Sequence, residues 1–516
     1  MNPATSNVDL PAPPPVAATR RDLRASGHVY RTVKAEIRDN LLARLAAGQE
    51  RFPGIVGFDD TVLPQVERAL LAGHDLVLLG ERGQGKTRLI RTMATLLDEW
   101  TPVVAGCEIN DHPYAPSCSR CRALLGAHGD DLPVAWRHRS DRYGEKLATP
   151  DTSVGDLIGD VDPIKVAEGR TLGDPETVHY GLVPRTNRGI FSVNELPDLA
   201  ERIQVALLNV LEERDIQVRG YSLRLPLDLL LVASANPEDY TNRGRIISPL
   251  KDRFGAEVRT HYPLRLDDEV DLVRQEATLS WGLSGGDSGG DGGGDGGGDG
   301  GGDGGGDGAL SAGGPRAGRY AAPVLPEHLF EVIARFTRLT RDAPQVDQRS
   351  GVSARFAIAC AETVAASAVR RAAIAGEEVA VARVADLPSV LETVRGKVEF
   401  EDSEEGRELD VLAHLLRRAT ADTFRARLAG LDLSGLQQRF EQGDTVESGD
   451  LIPGAELLRR IGPVPGLARI LDRLGIEAGE EAPGLAAAAL EFALEGLYLN
   501  RRLSKEELPG RTVYGG

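Results

Sequence analysis

The sequence lacks the marks of several protein classes. It has only four cysteines in 516 residues and only 5% aromatic residues. No apolar run reaches the roughly 18 residues that a membrane-spanning helix needs. The opening stretch, MNPATSNVDLPAPPPVAATRRD, has no apolar centre of the kind found in secretory signal peptides. We therefore expect a cytoplasmic protein without membrane insertion or a disulfide framework.

Negative charge outnumbers positive charge. Lys and Arg total 60 against 78 Asp and Glu, which gives a net charge of -18. Affinity for nucleic acids depends on clustered Lys and Arg, so the composition gives no strong nucleic-acid signal. The apolar fraction of 41% is typical of globular proteins, and the length predicts several domains.

Composition and periodicity divide the chain into five regions. We predict a disordered N-terminal tail, an α/β core, a flexible linker, a helical segment and a C-terminal helical region, over residues 1–28, 29–265, 283–318, 319–400 and 401–516. The tail is rich in Pro and Ala, and residues 284–308 of the linker repeat Gly-Gly-Gly-Asp without an apolar residue, so neither stretch can bury a core. Apolar residues recur at helical spacing in the last two regions.

Three short apolar runs in the core end in polar residues, as buried parallel strands do. They are HDLVLLG (74–80), GIFSVNE (189–195) and LDLLLVASAN (227–236). Helical patterns alternate with them, and TVKAEIRDNLLARLAAG (32–48) predicts a helix that ends at Gly48. This alternation is typical of a three-layer α/β fold.

The segment GERGQGKT (80–87) matches the P-loop pattern G-x-x-x-x-G-K-T between a predicted strand and a predicted helix. In such a loop the backbone N–H groups face phosphates, Lys86 reaches the β and γ phosphates, and Thr87 holds Mg²⁺. The residues predicted to bind nucleotide are Gly80, Gly83, Gln84, Gly85, Lys86, Thr87, Arg88 and Asn194.

The second apolar run ends in Asn194 and Glu195, where P-loop ATPases carry an acidic pair. Asn194 offers a carbonyl oxygen to the magnesium shell but no negative charge, whereas Glu195 keeps a carboxylate that can orient the attacking water. Asn236 ends the third run, from which its amide can contact the γ phosphate. An active ATPase and a slow nucleotide sensor both remain open.

Several blocks in one order resemble the ATPase subunit of magnesium chelatase and its MoxR-type relatives in the AAA+ class. They are ALLAGHDLVLLGERGQGKTRLIR, LATPDTSVGDLIGDVD, GLVPRTNRGIFSVNELPDL, LLLVASANPED and PLKDRFG. The resemblance covers about residues 54–262 closely and 325–395 loosely. It implies a P-loop AAA+ three-layer parallel-sheet core with a helical lid, followed here by the additional C-terminal helices, in a ring-forming and usually hexameric ATPase.

The resemblance also implies residue roles. Asn236 takes the place of the residue called sensor 1, and Arg355 in GVSARFAI that of the lid arginine called sensor 2. Of the three arginines after the third strand, Arg243, Arg245 and Arg253, the last corresponds to the finger that reaches a neighbouring subunit. With Glu195 these residues form the implied catalytic set, and ATP and Mg²⁺ are the implied cofactors.

The partner implied by the resemblance is a separately encoded protein with a von Willebrand factor A domain, since this chain shows no D-x-S-x-S strand end. The ATPase would then carry out chaperone-like remodelling or maturation of that partner, or metal insertion. A true magnesium-chelatase subunit and an ATP-dependent regulator with little turnover are the alternatives. A transcription activator shares the motor, but its polymerase-contacting loop and DNA-binding helix pair are not evident.

Three of the four cysteines lie close together, within a predicted insert at 105–125. Cys107, His112, Cys118 and Cys121 have the spacing C-x4-H-x5-C-x2-C, which can close a tetrahedral structural site around Zn²⁺. Asp111 and His128 compete with His112 for the fourth position. Structural thiols without metal and redox chemistry are the alternatives.

Overall fold

The computed structural model of the chain divides into two units, Met1–Arg265 and Leu266–Gly516. It describes residues 12–162, 164, 167, 177–213, 216–218, 221–223, 225–237, 245–279, 322–347, 351–449, 451–477, 483–508 and 510–516. The predicted linker over 283–318 and Arg243 lie outside these ranges. Within them, no helix is both long and apolar enough to cross a membrane.

A five-stranded sheet forms the centre of the first unit. Its strands are β1 (Leu76–Leu79), β2 (Tyr143–Leu147), β3 (Ile190–Asn194), β4 (Leu230–Ala235) and β5 (Ala256–Arg259). Their spatial order is β5-β1-β4-β3-β2, and every neighbouring pair is parallel. The carboxyl ends of β1, β3 and β4 therefore meet at one edge of the sheet.

Apolar side chains cover both faces of this sheet. Leu76 and Leu78 belong to one hydrophobic cluster and Val77 and Leu79 to another, as the alternation of a strand requires. The predicted three-layer α/β core is thereby confirmed. Sequence analysis did not identify β2 and β5, because these edge strands are partly exposed and carry charged residues in place of a continuous apolar run.

Helices pack on the two faces of this sheet. The described part of the first unit contains the helices Arg20–Ala25, Val33–Ala47, Val62–Leu71, Lys86–Thr92, Ser119–His128, Val154–Leu157, Leu182–Arg185, Glu201–Glu213 and Ser248–Arg253. The helix predicted over 32–48 begins after Thr32, whose side chain caps it, and ends at Gly48 with φ of 63°. A buried ion pair anchors it, since Arg142 donates to both carboxylate oxygens of Glu36 at 2.6 and 2.7 Å.

The N-terminal segment departs from the predicted disorder. Residues 20–25 form a helix with a reciprocal capping box between Thr19 and Asp22, so the prediction of a disordered tail over 1–28 is wrong there. Arg20 and Arg24 of this helix pair with Asp130. Asp130 is more than 100 residues away along the chain, so the local composition of the segment cannot reveal these ion pairs.

Besides the central sheet, the described part of the first unit contains three antiparallel strand pairs. They pair Trp100–Val104 with Val134–His138, Gly159–Val161 with Val178–Tyr180, and Ile216–Val218 with Tyr221–Leu223. The cysteine segment joins the first pair of strands, and Cys118 and Cys121 are buried in the same cluster as Val77 and Leu79. The segment is thus part of one face of the core.

The second unit is mainly helical. Its described helices are Leu266–Glu276, Glu327–Arg341, Ala354–Ala375, Val390–Arg395, Glu408–Leu428, Ser434–Glu441, Gly454–Ile461, Leu467–Arg473 and Pro483–Leu499. Residues from both predicted helical segments, including Phe336, Phe356, Leu412 and Phe492, share one hydrophobic cluster.

The end of the chain corrects a prediction. The expected helices over 401–516 give way at the end to strands Ser504–Leu508 and Arg511–Gly515, which form an antiparallel sheet with Val446–Ser448. Tyr514 is buried there and its hydroxyl donates to Glu495 at 2.6 Å. The strands are short and charged, so their pairing has no clear apolar alternation in the sequence.

We predict that His328 makes the second unit acid-sensitive. The ring is buried against Phe492, neither nitrogen has a hydrogen-bond partner among the described residues, and burial, with the charge of Arg427, lowers its pKa to about 3. The imidazole stays neutral in the folded chain, whereas the unfolded chain binds a proton below its ordinary pKa of about 6.5. Stability is therefore present above that pH and is lost as pH falls.

The expected loss is about 1.4 kcal/mol per pH unit below ~6.5. Urea unfolding of the parent and of His328→Leu at pH 7 and pH 5, followed by far-UV circular dichroism, measures it. The parent should lose about 2 kcal/mol more than the variant between these two pH values. Equal losses in both proteins would contradict the assignment.

Candidate functional site

The P-loop lies between β1 and the helix Lys86–Thr92. Gly83 and Gly85 have φ of 75° and 73°, a left-handed conformation that glycine adopts without strain. Gly85 caps the helix, so the loop leads directly into the helix N-terminus. This is the geometry in which successive N–H groups can face an anion.

Gly80 is required for a different reason, which is space. A Cβ atom there would lie 1.9 Å from the Thr260 hydroxyl and 2.3 Å from the Gln84 carbonyl oxygen. These two side chains are joined by a 2.8 Å hydrogen bond, and Gln84 also accepts from the backbone N–H of Glu81. Gln84 thereby holds the loop against the residue that follows β5.

Lys86 is buried at the start of the helix. Its ammonium donates to the backbone carbonyls of Gly80 and Glu81, the latter at 2.8 Å. The charge is therefore held inside the loop. Thr87 follows it with a half-buried side chain, and Arg88 is exposed.

Hydrogen bonds join the ends of β1, β3 and β4. The N–H of Gly80 donates to the carbonyl of Ala235 at 3.2 Å, which ties the P-loop to the end of β4. The Ser234 hydroxyl donates to the Asn194 side-chain oxygen at 3.2 Å and accepts from the N–H of Glu195 at 3.3 Å. The three predicted strand ends are thus brought together.

A carboxylate lies beside Asn194, the residue that lacks the expected charge. The amide nitrogen of Asn194 donates to Glu145 of β2 at 2.6 Å, and Arg91 of the P-loop helix pairs with the same carboxylate at 2.8 Å. Burial tends to raise the pKa of Glu145, but hydrogen bonds from Arg91, Tyr143 and Asn194 and the charge of Arg91 hold it below its ordinary value. The group is therefore ionised at neutral pH.

Glu195 has φ of 54°, in the left-handed region that non-glycine residues rarely adopt. Such a residue costs on the order of 1 kcal/mol and persists where the surroundings impose it. Here the turn between β3 and the short 3-10 helix Leu196–Asp198 imposes it. The side chain is half-buried at the sheet edge.

The remaining predicted residues are placed as follows. Asn236 is buried directly after β4, in line with the end of β1. Arg253, at the end of helix Ser248–Arg253, is exposed and pairs with Glu212 at 2.7 Å. Arg245 is exposed, and its backbone carbonyl accepts a hydrogen bond from Gln204. Arg355 is exposed near the start of helix Ala354–Ala375, in the second unit.

The cysteine segment brings together a different set from the one predicted. Cys107, Asp111, Cys118 and Cys121 form the cluster, and the predicted ligand His112 is not among its members. The Nδ1 atom of His112 accepts from the backbone N–H of Tyr114, and its Nε2 atom lies 3.2 Å from that of His28. The competing residue His128 is exposed at the end of its helix.

The residues that join the site together have little or no signal in the sequence. Ser234 is the one polar side chain inside the run LLLVASA, and that break was its only signal. Glu145, Arg91 and Thr260 have no pattern that marks them. Their roles come from neighbouring strands that the sequence does not pair.

Known proteins resemble this chain in sequence. A family model described as the sigma-54 interaction domain matches residues 170–253. The 38 kDa subunit of magnesium chelatase from Cereibacter sphaeroides is 30% identical over 235 residues, which cover 43% of this chain and 62% of that protein. The one from Acidiphilium rubrum is 31% identical over 210 residues, or 39% of this chain and 55% of that protein. The matches span about three fifths of these relatives, and the predicted resemblance to the chelatase ATPase subunit is confirmed.

Some solved structures are similar to this chain over much of its length. A chain of the complex between the BchI and BchD subunits of magnesium chelatase has a TM-score of 0.33 and 19% identity, covering 69% of this chain and 98% of its own. The Holliday junction branch migration motor RuvB of Thermotoga maritima has a TM-score of 0.33 and 13% identity, covering 89% and 92%. These scores are low, and the fold assignment depends on the strand order described above.

We predict that Gly80→Ala destabilises the first unit. The new methyl group must displace Thr260 and Gln84 from their hydrogen bond, and overpacking of this kind costs about 1–3 kcal/mol. Gly126→Ala is the matched control, because a Cβ atom there meets nothing within 4 Å and the residue lies inside a helix. Thermal unfolding should show a lower transition temperature for the first variant alone, and a transition unchanged in both would contradict this account of the loop.

Proposed function

We propose that this chain, an AAA+ protein similar to the magnesium-chelatase ATPase subunits, hydrolyses ATP with Mg²⁺ and uses the resulting movement to act on a partner protein. The observation that carries the proposal is the hydrogen-bonded convergence of three strand ends at the P-loop, through Gly80, Ala235 and Ser234. Phosphoryl transfer needs little covalent chemistry from a protein, so positioning of this kind is the main requirement.

Nucleotide binding falls to the P-loop and its helix. The N–H groups around Gly83 and Gly85 would face the phosphates, with the helix dipole favouring negative charge there. Lys86, now held by two loop carbonyls, would exchange them for the β and γ phosphates. Thr87 would hold Mg²⁺ through its hydroxyl.

Hydrolysis falls to the ends of β3 and β4. Glu195 would orient the attacking water, and the fixed left-handed turn keeps its carboxylate at the sheet edge. Asn236, buried after β4, would contact the γ phosphate. Since the Ser234 hydroxyl joins the two strand ends, the water-orienting and phosphate-sensing groups would move together.

The charge missing from Asn194 has a substitute in this proposal. Glu145 is ionised and accepts a hydrogen bond from the Asn194 amide. The negative charge is therefore carried by the hydrogen-bond partner of Asn194 and not by position 194 itself. Arg91 partly offsets it, but that guanidinium is 63% exposed and therefore screened by solvent. We propose that Glu145 supports the Mg²⁺ shell through Asn194.

Assembly and partner are the wider part of the proposal. Arg253 is exposed, as a finger that completes a neighbouring subunit's site must be, and its pair with Glu212 would open on assembly. A ring, usually of six subunits, and a role of Arg355 in the lid follow from the resemblance. So does a separately encoded partner with a von Willebrand factor A domain, on which chaperone-like remodelling, MoxR-like maturation or metal insertion would be carried out in the cytoplasm.

A second candidate is an ATP-dependent regulator with little turnover. Asn194 favours it, because both ends of its side chain are already bonded, to Ser234 and to Glu145. In such a protein nucleotide binding would change the assembly state, and hydrolysis would be incidental. The two candidates differ in phosphate release at saturating ATP and Mg²⁺.

We predict that Glu195→Gln separates binding from hydrolysis. The amide cannot orient water as a carboxylate does, so phosphate release should fall at least about 100-fold, in the range general-base groups contribute. Labelled ATP should still bind with an affinity close to that of the parent. Glu201→Gln, an exposed glutamate at the start of the next helix, is the control. Undiminished hydrolysis in Glu195→Gln would remove this residue from the mechanism.

We predict that Asn194 and Glu145 act as a pair. Glu145→Gln should raise the Mg²⁺ concentration needed for half-maximal phosphate release roughly tenfold, or about 1.4 kcal/mol. Asn194→Asp alone places two carboxylates at hydrogen-bond distance and should help little, since like charges disfavour ionisation. The double variant should regain the parent's Mg²⁺ response.

The four proteins are compared by phosphate release over a series of Mg²⁺ concentrations, with ATP binding measured alongside. Strictly additive effects of the two substitutions would contradict the pairing. If the parent releases no phosphate and the double variant does, the regulator is the correct function.

A further inference from the structure

A cluster outside the ATP site carries metal-binding chemistry. The Sγ atoms of Cys107, Cys118 and Cys121 and a carboxylate oxygen of Asp111 all lie within 4.8 Å of one another. We propose that these four residues form a closed, structural Zn²⁺ site. The bound metal fixes the segment 105–131 on the core face and, through it, the N-terminal segment 12–28.

The ligands come from two turns that the backbone already holds. The first follows strand Trp100–Val104, where Cys107 N–H donates to the Val104 carbonyl and Val104 N–H donates to the Asp111 carbonyl at 2.8 Å. The second is the start of helix Ser119–His128, which Cys118 caps. Two ligands from a loop and two from a helix start can enclose one ion without rearranging either element.

Backbone donors point at two of the sulfurs. Asp111 N–H donates to the Cys107 sulfur and Cys121 N–H to the Cys118 sulfur, each at 3.3 Å. Such bonds stabilise thiolates and fix their direction, as outer contacts do at metal centres.

Asp111 distinguishes this cluster from a set of buried thiols. It is 1% exposed, and in the part of the chain that the structure describes it has no ion pair, only hydrogen bonds from the Ser117 hydroxyl and the Cys118 N–H. A buried carboxylate is costly unless it is paired or coordinates a metal. Three sulfurs with one carboxylate favour Zn²⁺ over Mg²⁺ or Ca²⁺.

The residue next to Asp111 contacts the N-terminal segment. His112 is stacked on His28, with ring centroids 5.4 Å apart. Near it the Trp136 indole donates to the carbonyl of Ala17, and Arg20 N–H donates to the carbonyl of Leu132. A metal at Asp111 would therefore hold the loop on which this segment rests.

The first test is the metal content of the purified full chain by inductively coupled plasma mass spectrometry. We expect about one zinc per chain in the parent, as a closed four-ligand site requires. In Cys118→Ser and Cys121→Ser, the metal retained after dialysis against a weak chelator should be at least about tenfold lower than in the parent. Cys360→Ser is the matched control, a buried cysteine in the second unit, and it should retain the zinc.

The fourth ligand is tested by a second pair of variants. Asp111→Asn should lose metal and His112→Gln should keep it, because only Asp111 lies in the cluster. The reverse result would overturn the ligand set. Disulfide-bonded cysteines in the native protein, or a parent that holds no metal, would overturn the site altogether.

A further measurement uses the unaltered chain, so its result does not depend on whether the variants fold. Replacing the metal with Co²⁺ should give the visible bands and the sulfur-to-metal charge-transfer absorption of a tetrahedral thiolate site. Chelation should then increase hydrogen exchange in segments 12–28 and 105–131. Unchanged exchange would contradict the anchoring role. Labelled ATP binding on the same samples reports the P-loop separately, so either proposal can fail alone.

Discussion

The hydroxyl of Ser234 and the backbone contact between Gly80 and Ala235 hold the ends of three strands together. Parallel pairing alone would place these ends on one edge, but it would leave their side chains free to vary in separation. The hydroxyl donates to Asn194 and accepts from the N–H of Glu195, so it fixes both residues with respect to β4. The candidate chemistry depends on that spacing.

The same edge is connected to the helix that follows the P-loop. Arg91 lies one turn beyond Thr87, and its partner Glu145 accepts from Asn194, so a chain of contacts runs from the binding loop to the end of β3. The P-loop helix and the strand that precedes Glu195 thus share one carboxylate as a partner. Exposed ion pairs contribute little to stability, and this one is more important for where it places charge.

The first unit uses buried polar contacts to attach segments that its sheet does not pair. The Glu36–Arg142 ion pair attaches a helix, and the cysteine cluster occupies the opposite face beneath Val77 and Leu79. In the second unit one apolar cluster joins the helices predicted as separate regions, and buried ion pairs such as Arg371 with Asp386 are present as well. Its small antiparallel sheet closes the end of the chain around Tyr514.

The sequence alone determined the P-loop, three of the five central strands and the helix that ends at Gly48, because each has a local signal: a glycine pattern, an apolar run, a capping residue. It also placed three cysteines near one another. Tertiary structure decided the rest. The edge strands β2 and β5, the contacts of Ser234 and Glu145 and the helix at residues 20–25 all depend on partners distant along the chain. Local composition cannot encode such contacts, since they exist only once the strands have paired and the core has closed.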